Sequence, residues 1–453
     1  LTPDEARQIF NPCRNTHMGN AERLAEQHGA KLHFVEEWGW LAWDGRKWSR
    51  DKSEVERYYK KVARQIYFEA AGENNKDRRE ELWKWAKRSE DKSIRAGSLS
   101  FAESEPGIPA KTEEFDAKPW LLTCKNGTVD LHTGELFPHR REDLSTLLSS
   151  VEYIPNATCP TFDAFLRRIM ADDSELVNFI QRAVGYSLTG STREQCLFIL
   201  YGGGQNGKST FINALMDLLG EFAQRTPTDA LMMKRGNQGI PNDLARMVGA
   251  RVVAAVETED NKRLSEVKLK EMTGGDKMAA RFLHREWFEF TPQFKLWLAT
   301  NHKPVIKGTD NAIWRRIRLI PFDVQISDQE KDLDLGEKLK LELSGILHWA
   351  IEGCLLWQQK GLFPPDRVTK ATAGYREEMD ILAAFLADCC LFSSVASASA
   401  KELYEAYQTW CEENGERPES QRRFGERLRE RGLERRRGSR GRKIWYGIGL
   451  LAD

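Results

Sequence analysis

The chain has 453 residues, 40% of them hydrophobic and 30% charged, and its 68 Lys and Arg balance its 68 Asp and Glu. That length accommodates roughly three domains, and the composition excludes a disordered or collagen-like chain. No apolar run is as long as a membrane span, so neither a membrane partner nor a secretory signal is expected.

Residues 1 to about 115 are mixed and rich in tryptophan. Trp38 to Trp48 reads as a hairpin turning at Asp44-Gly45. Ser53 to Ala71 and Asn75 to Ser89 read as charged amphipathic helices. The tryptophans are expected to pack in the core and the hairpin rather than to stack on bases. Cys13-x-x-x-His17 is the one metal-like spacing, too little alone for a metal centre. The eight cysteines are otherwise scattered without a C-x-x-C pair, which points to a reducing, cytoplasmic compartment. Vicinal Cys389-Cys390 are expected on a buried helix face. Pro106 to Pro119 reads as a linker. Asn126 to Glu135 is a second hairpin signature with turn residues at both ends, and Phe162 to Thr189 is expected to be helical.

The strongest motif is Gly202-Gly203-Gly204-Gln205-Asn206-Gly207-Lys208-Ser209, which fits the phosphate-binding pattern G-x-x-x-x-G-K-[ST]. Cys196 to Tyr201 reads as a buried strand before it, and Thr210 to Leu219 as a helix after it, stopping at Gly220. Strand, glycine loop and helix aim backbone N–H groups at a phosphate. In this pattern Lys208 reaches the β- and γ-phosphates of ATP and Ser209 ligates Mg²⁺.

Arg251 to Glu259 reads as an apolar strand ending in two carboxylates. Such a strand is expected beside the P-loop strand, where Glu257 would hold Mg²⁺ through water or activate the attacking water, with Glu259 as partner. Met272 to Phe290 reads as a β-hairpin with a basic tip, so Lys277, His284 and Arg285 are candidates for phosphate contacts. Phe294 to Asn301 reads as a third strand, whose terminal Asn301 is placed to bond the γ-phosphate or the lytic water. Arg315 or Arg316, just beyond, is the candidate arginine finger into a neighbouring subunit's site; the sequence leaves the choice open.

Asp328 to Gln359 is a further helical stretch, and a last small domain begins near Ile381. Ala400 to Asn414 and Ser420 to Arg431 read as helices, the second with Phe424 and Leu428 facing inward. An arginine run and Lys443 to Ile448 follow, so helix, helix and β-wing suggest a winged helix. From Arg417 to Lys443 there are twelve Lys or Arg against four Asp or Glu, a basic block that suggests a polyanionic partner. Arg422, Arg423, Arg427, Arg435, Arg436 and Arg437 are candidates for DNA phosphate contacts.

The order of these parts is more specific than any one of them. The segments NGTVDLHTGEL, GYSLTG, GGGQNGKST, ETE, TGGD, KLWLATNHKP and GTDNAIWRRI resemble superfamily 3 helicases of the AAA+ class. Within these they are similar to the poxvirus-type and phage/plasmid primase–helicase family. The resemblance implies an α/β P-loop ATPase core at 193–325, an α+β N-terminal helicase-associated domain at 1–120 and a hairpin with a helical collar at 121–192. It further implies a helical lid at 326–380 and a C-terminal winged helix at 381–453. It also implies a homo-oligomeric ring, a hexamer, that hydrolyses ATP at subunit interfaces and moves on single-stranded and forked DNA, usually 3′→5′, in the host cytoplasm. A primase module often lies upstream in this family, and Leu1 at the start leaves room for one. The acids here are Glu-Thr-Glu rather than adjacent, so the division of labour between Glu257 and Glu259 stays open. A DNA-binding initiator or loader that melts without processive unwinding is the nearest alternative. A small-molecule P-loop kinase would leave the hairpin and winged helix without a role.

Overall fold

The computed structural model describes residues 15–233, 242–256, 262–281, 287–307, 311–414, 416–437 and 442–451. Thr16 opens the first helix, α1 (His17–His28), by accepting a hydrogen bond from Gly19 N through its side chain. Strands β1 (Leu32–Val35), β2 (Gly39–Trp43) and β3 (Trp48–Ser49) form an antiparallel sheet. The β2–β3 turn forms at Asp44-Gly45 because Asp44 Oδ1 accepts from the N–H groups of Arg46 and Lys47, and Gly45 takes φ +101°. Trp40 and Trp48 are buried beside it. Three helices follow: α2 (Lys52–Gly72), α3 (Lys76–Ser89) and α4 (Lys92–Ala102), the first two capped by Asp51 and Asn75.

The stretch 106–119 is not a free linker. Ile108 and Phe115 are buried, and Phe34 exchanges backbone hydrogen bonds with Ile108 and Ala110 at 2.8 and 2.9 Å. Its prolines do mark irregular backbone, but its two apolar side chains find a core that local composition does not reveal. A second antiparallel sheet, β4 (Leu121–Cys124), β5 (Gly127–Asp130) and β6 (Glu135–Phe137), comes next. The helical stretch beyond it divides into α5 (Pro160–Ile169) and α6 (Ser174–Leu188). Ala171 and Asp172 break it by adopting φ of +56° and +57°.

The central unit contains β7 (Leu197–Tyr201), α7 (Lys208–Leu219), β8 (Ala223–Arg225), α8 (Asn242–Ala245), β9 (Val252–Val256), α9 (Glu266–Gly274), β10 (Met278–Ala280), β11 (Phe288–Phe290), β12 (Lys295–Thr300), α10 (Asn311–Trp314) and β13 (Ile317–Pro321). Five of these strands make a parallel sheet in the order β13-β7-β12-β9-β8. They read as apolar runs because helices cover both faces. Strand β9 is therefore not beside β7, the strand before the glycine loop, as expected from sequence; β12 lies between them. Neighbour order is set by how the crossovers wind, and a strand's own residues carry no record of it.

Two buried cations sit at the foot of this sheet. Arg251, just before β9, donates to the carbonyls of Pro119 and Lys118 at 3.1 and 3.2 Å. Lys295, opening β12, donates to those of Thr189, Ser191 and Gln293. Burial draws the Lys295 ammonium well below its ordinary pKa and the Arg251 guanidinium to about 10.

The remaining elements are α11 (Leu335–Leu341), α12 (Leu343–Lys360), α13 (Asp366–Glu378), α14 (Ile381–Cys389), β14 (Cys390–Ser399), α15 (Ala400–Glu413), α16 (Gln421–Glu430), β15 (Glu434–Arg437) and β16 (Lys443–Leu450). The last three strands pair antiparallel in the order β14-β16-β15. Phe424 and Leu428 are buried, as the helical spacing predicts. Strand β14 was not legible in sequence. Cys389 and Cys390 straddle its junction with α14 rather than sharing a helix face, and Cys390 is the buried one.

Helices α6 and α12 approach closely through glycines. A Cβ on Gly185 would lie 2.1 Å from Cys354 N, and one on Gly353 would lie 2.1 Å from Gln181 O. Gly185→Ala should cost about 1–3 kcal/mol by overpacking, read as a lower urea midpoint; an unchanged midpoint would mean that the two helices part freely.

Candidate functional site

Between β7 and α7 the chain makes a tight loop through residues 202–207. Gly202 has no room for a side chain, since a Cβ there would lie 2.2 Å from Phe322 O. Gly204 and Gly207 take φ of +101° and +83°, and a Cβ on Gly207 would also meet Ile169 at 2.7 Å. Gly203 is exposed. The loop is tied to the chain leaving β13: Asn206 Nδ2 donates to Phe322 O at 3.0 Å, and Ile326 N donates to Gln205 O at 2.7 Å.

Lys208 Nζ turns back over the loop, donating to Gly202 O at 2.7 Å and Asn206 Oδ1 at 2.9 Å. Burial pulls this ammonium down to about 8. Ser209 is exposed in the first turn of α7, with Thr210 behind it. First-turn N–H groups lack intrahelical partners and carry the positive end of the helix dipole. The arrangement is a cradle for an anion with several oxygens.

Register places Asn301 against this loop. Thr300 pairs with Tyr201 across β12 and β7, so Asn301 and Gly202 leave the sheet side by side. The arginine pair lies at the other end. Ile317 pairs with Leu197, and Leu197 N donates to Arg316 O, so five strand residues, about 16 Å, separate Arg315 and Arg316 from the loop of their own chain. The structure also distinguishes the two. Arg316 is 7% exposed, and its guanidinium donates to Thr273 Oγ1 at 3.1 Å and to Ala312 O. Arg315 is exposed, with a long contact of 3.4 Å to Gln195 Oε1.

A cavity of about 650 Å³ opens beside Gln205, Gly207 and Thr210, between α5, α7 and the segment 326–343. Phe165, Ile326, Leu335 and Leu339 give it apolar walls, while Asn213 and Asp217 add polar groups from α7. Sequence reasoning missed these residues because three distant segments contribute them. The one available signal was the i, i+3, i+7 line of Thr210, Asn213 and Asp217 along a single helix face.

Glu257, Glu259, His284 and Arg285 lie outside the described residues. The hairpin itself forms, with Met278 opposite Phe290. Lys277 at its base is exposed and 3.6 Å from Glu289. Among the described residues no group of three or more His, Cys, Asp or Glu is placed to hold a metal ion.

Three family models match in sequence order: "D5 N terminal like" over residues 21–171, a family of unknown function (DUF5906) over 200–316, and "Poxvirus D5 protein-like" over 377–434. The chain is D5-like at both ends. Its relatives include a candidate helicase of Acanthamoeba polyphaga mimivirus, 27% identical over 330 residues, which are 68% of this chain and 34% of that protein. A candidate helicase of Frog virus 3 is 27% identical over 271 residues, 55% of this chain and 28% of that protein. A candidate primase of African swine fever virus is 24% identical over 341 residues, 67% of this chain and 34% of that protein. The chain thus spans about a third of the length of the curated relatives it matches. Among solved structures, the apo C-terminal region of NrS-1 aligns over 92% of this chain and 96% of its own, with a TM-score of 0.46 and 9% identity. No helix among the described residues is long and apolar enough to cross a membrane.

The C-terminal matched segment, 377–434, contains six of the twelve cations of the basic block. Arg427 is not available to a phosphate: it is buried, bonded to Asp380 at 2.8 Å and 3.3 Å from Glu419. It ties α16 to the start of α14, a long-range role that a local charge count cannot show. Arg422 and Arg423 are exposed and share Glu426. On β15, Arg435 lies over Trp445, Arg436 pairs with Glu434, and Arg437 is exposed.

The lowered Lys208 pKa gives a pH signature. The ammonium is charged below about pH 8 and neutral above it, and a bound polyphosphate requires the charged form. Affinity for inorganic triphosphate should therefore hold at pH 7 and fall by up to about tenfold per pH unit above 8, measured by calorimetry. Lys208→Arg should flatten the profile; the same fall in both proteins would assign the titration to another group.

Proposed function

We propose that the chain is the motor part of an ATP-driven replicative DNA helicase of superfamily 3, within a larger primase–helicase. The observation that carries this reading is the glycine loop between β7 and α7, with Lys208 folded over it and Asn301 beside it in register. The relatives named as helicases and primases of large DNA viruses support the same direction. In this reading residues 193–325 are the AAA+ core, and residues 381–453 act as a winged helix whose Arg422, Arg423, Arg435, Arg436 and Arg437 contact DNA.

The residues present fit ATP and Mg²⁺. The side-chain-free approach at Gly202 and Gly207 suits phosphate oxygens, and the neighbouring 650 Å³ cavity has room and apolar walls for a nucleoside. Bound ATP supplies the phosphoanhydride whose hydrolysis drives movement. Lys208 would swing from Gly202 O and Asn206 to the phosphates, leaving Asn206 on Phe322 O, and Ser209 would offer its hydroxyl to Mg²⁺. Glu257 and Glu259 would share water activation, and Asn301 would orient the γ-phosphate or the water.

Arg315, rather than Arg316, is the arginine we assign to the neighbouring subunit's site. It is exposed and about 16 Å of strand from its own loop, so in this role it would serve the loop of a second copy; Arg316 instead bonds Thr273 of α9 and Gln195. An initiator or loader of the same architecture remains the second reading, because the winged helix and basic hairpin suit DNA melting as well as translocation.

Unwinding of 3′-tailed and 5′-tailed forks separates these. ATP-dependent opening of only the 3′-tailed fork is expected, and DNA-stimulated hydrolysis without unwinding of either would favour the loader. Lys208→Ala should abolish hydrolysis without changing the melting temperature; persistent hydrolysis would refute the site. Arg315→Ala should lower the hydrolysis rate by roughly 10³-fold or more and recover partly when mixed with Lys208→Ala subunits. Absence of complementation would remove the trans role.

A further inference from the structure

The helical hairpin α2–α3, joined through residues 73–75, exposes two large aromatic side chains. Phe68 is 69% and Trp83 52% exposed. Each sits within a line of cations on its own helix. On α2, Lys60, Arg64 and Phe68 recur every four residues; on α3, Arg79, Trp83 and Lys87 do the same. The two lines are brought together by Tyr67, whose ring meets that of Trp83 edge-on at 4.9 Å between centroids.

The charges of the pair are not self-neutralised. The two helices contain eleven Lys or Arg and six Asp or Glu. All three acids of α2 are occupied: Glu54 by Arg57, Glu56 by Arg95 and Glu69 by Arg23. Lys60, Arg64, Lys84 and Lys87 are exposed and form no ion pair among the described residues. The face therefore combines exposed rings with unpaired cations.

We infer that this face binds single-stranded nucleic acid, with bases stacked on Trp83 and Phe68 and phosphates held by Lys60, Arg64, Arg79 and Lys87. Unpaired bases present open π-faces and a tracking backbone charge, which is what rings interleaved with cations recognise. A duplex hides its base faces and offers only phosphates. Eight residues of helix extend each line about 12 Å, enough for a short run of nucleotides. The face lies on the N-terminal helices, apart from the glycine loop, so it operates without bound nucleotide.

The test uses the full chain without nucleotide and a fluorescein-labelled 30-mer of oligo(dT), read by anisotropy, beside a duplex of the same length. Wild type should prefer oligo(dT) to duplex. Phe68→Ala with Trp83→Ala should weaken oligo(dT) binding about tenfold at an unchanged melting temperature, since both rings are exposed, and should bring it towards duplex affinity. Lys60→Ala with Arg64→Ala and Lys87→Ala should reduce the slope of log K against log salt by about two. Lys208→Ala should bind oligo(dT) as wild type does, so loss of the ATPase reading would leave this binding in place. Unchanged oligo(dT) affinity in the double ring variant would overturn the proposal, as would duplex bound as tightly as single strand by wild type.

Discussion

The buried cations Arg251 and Lys295 are the constraint on which the central sheet depends. Each stands at the entry to a buried strand, and each donates to backbone carbonyls from distant segments of the chain. A buried charge is costly unless its hydrogen bonds are made, so the segments 118–121 and 189–191 cannot drift from the feet of β9 and β12. Asp116 extends the tie. It is buried, burial raises its pKa, and its carboxylate accepts from Thr146 while its carbonyl accepts from Gln293. The N-terminal elements, the second sheet and the central sheet thus meet at one polar junction. The opposite ends of the same strands bear Val256 and Asn301, and Asn301 leaves the sheet beside the glycine loop.

At that upper end the constraint is steric. Gly202 and Gly207 leave no space for a Cβ, and Asn206 spends one side chain on both Phe322 O and Lys208. The loop's shape is therefore held by β13 and α5, not by its own residues alone. Lys208 is thus buried with two acceptors, and burial makes its ammonium easier to deprotonate than a surface lysine. A cation held in readiness by weak acceptors is available to a stronger one.

Charge on the surface is divided by partner rather than by sequence density. The densest basic block, in α16 and β15, is partly consumed internally: Arg427 and Arg431 grip Asp380, and Arg436 faces Glu434. The sparser cations of α2 are left open because the acids of that helix are already engaged. A net charge near zero for the chain therefore conceals surfaces of quite different electrostatic character.

The glycine loop, its flanking strand and helix, the Asp44-Gly45 hairpin and the amphipathic helices α2, α3 and α15 were legible because each is a local agreement of period, cap and turn chemistry within a few residues. The same locality limits the reading. That β12 separates β9 from β7, that 106–119 packs, that Ala171 and Asp172 break a helix, and that β14 exists all depend on partners far along the chain. So does the difference between Arg315 and Arg316, adjacent in sequence, one facing solvent and the other buried against Thr273. Sequence alone determined which chemistry the chain can present, because side-chain type and short-range spacing are written in it. Only the tertiary structure decided which of those groups remain available, because burial and pairing are set by long-range contacts that no local pattern contains.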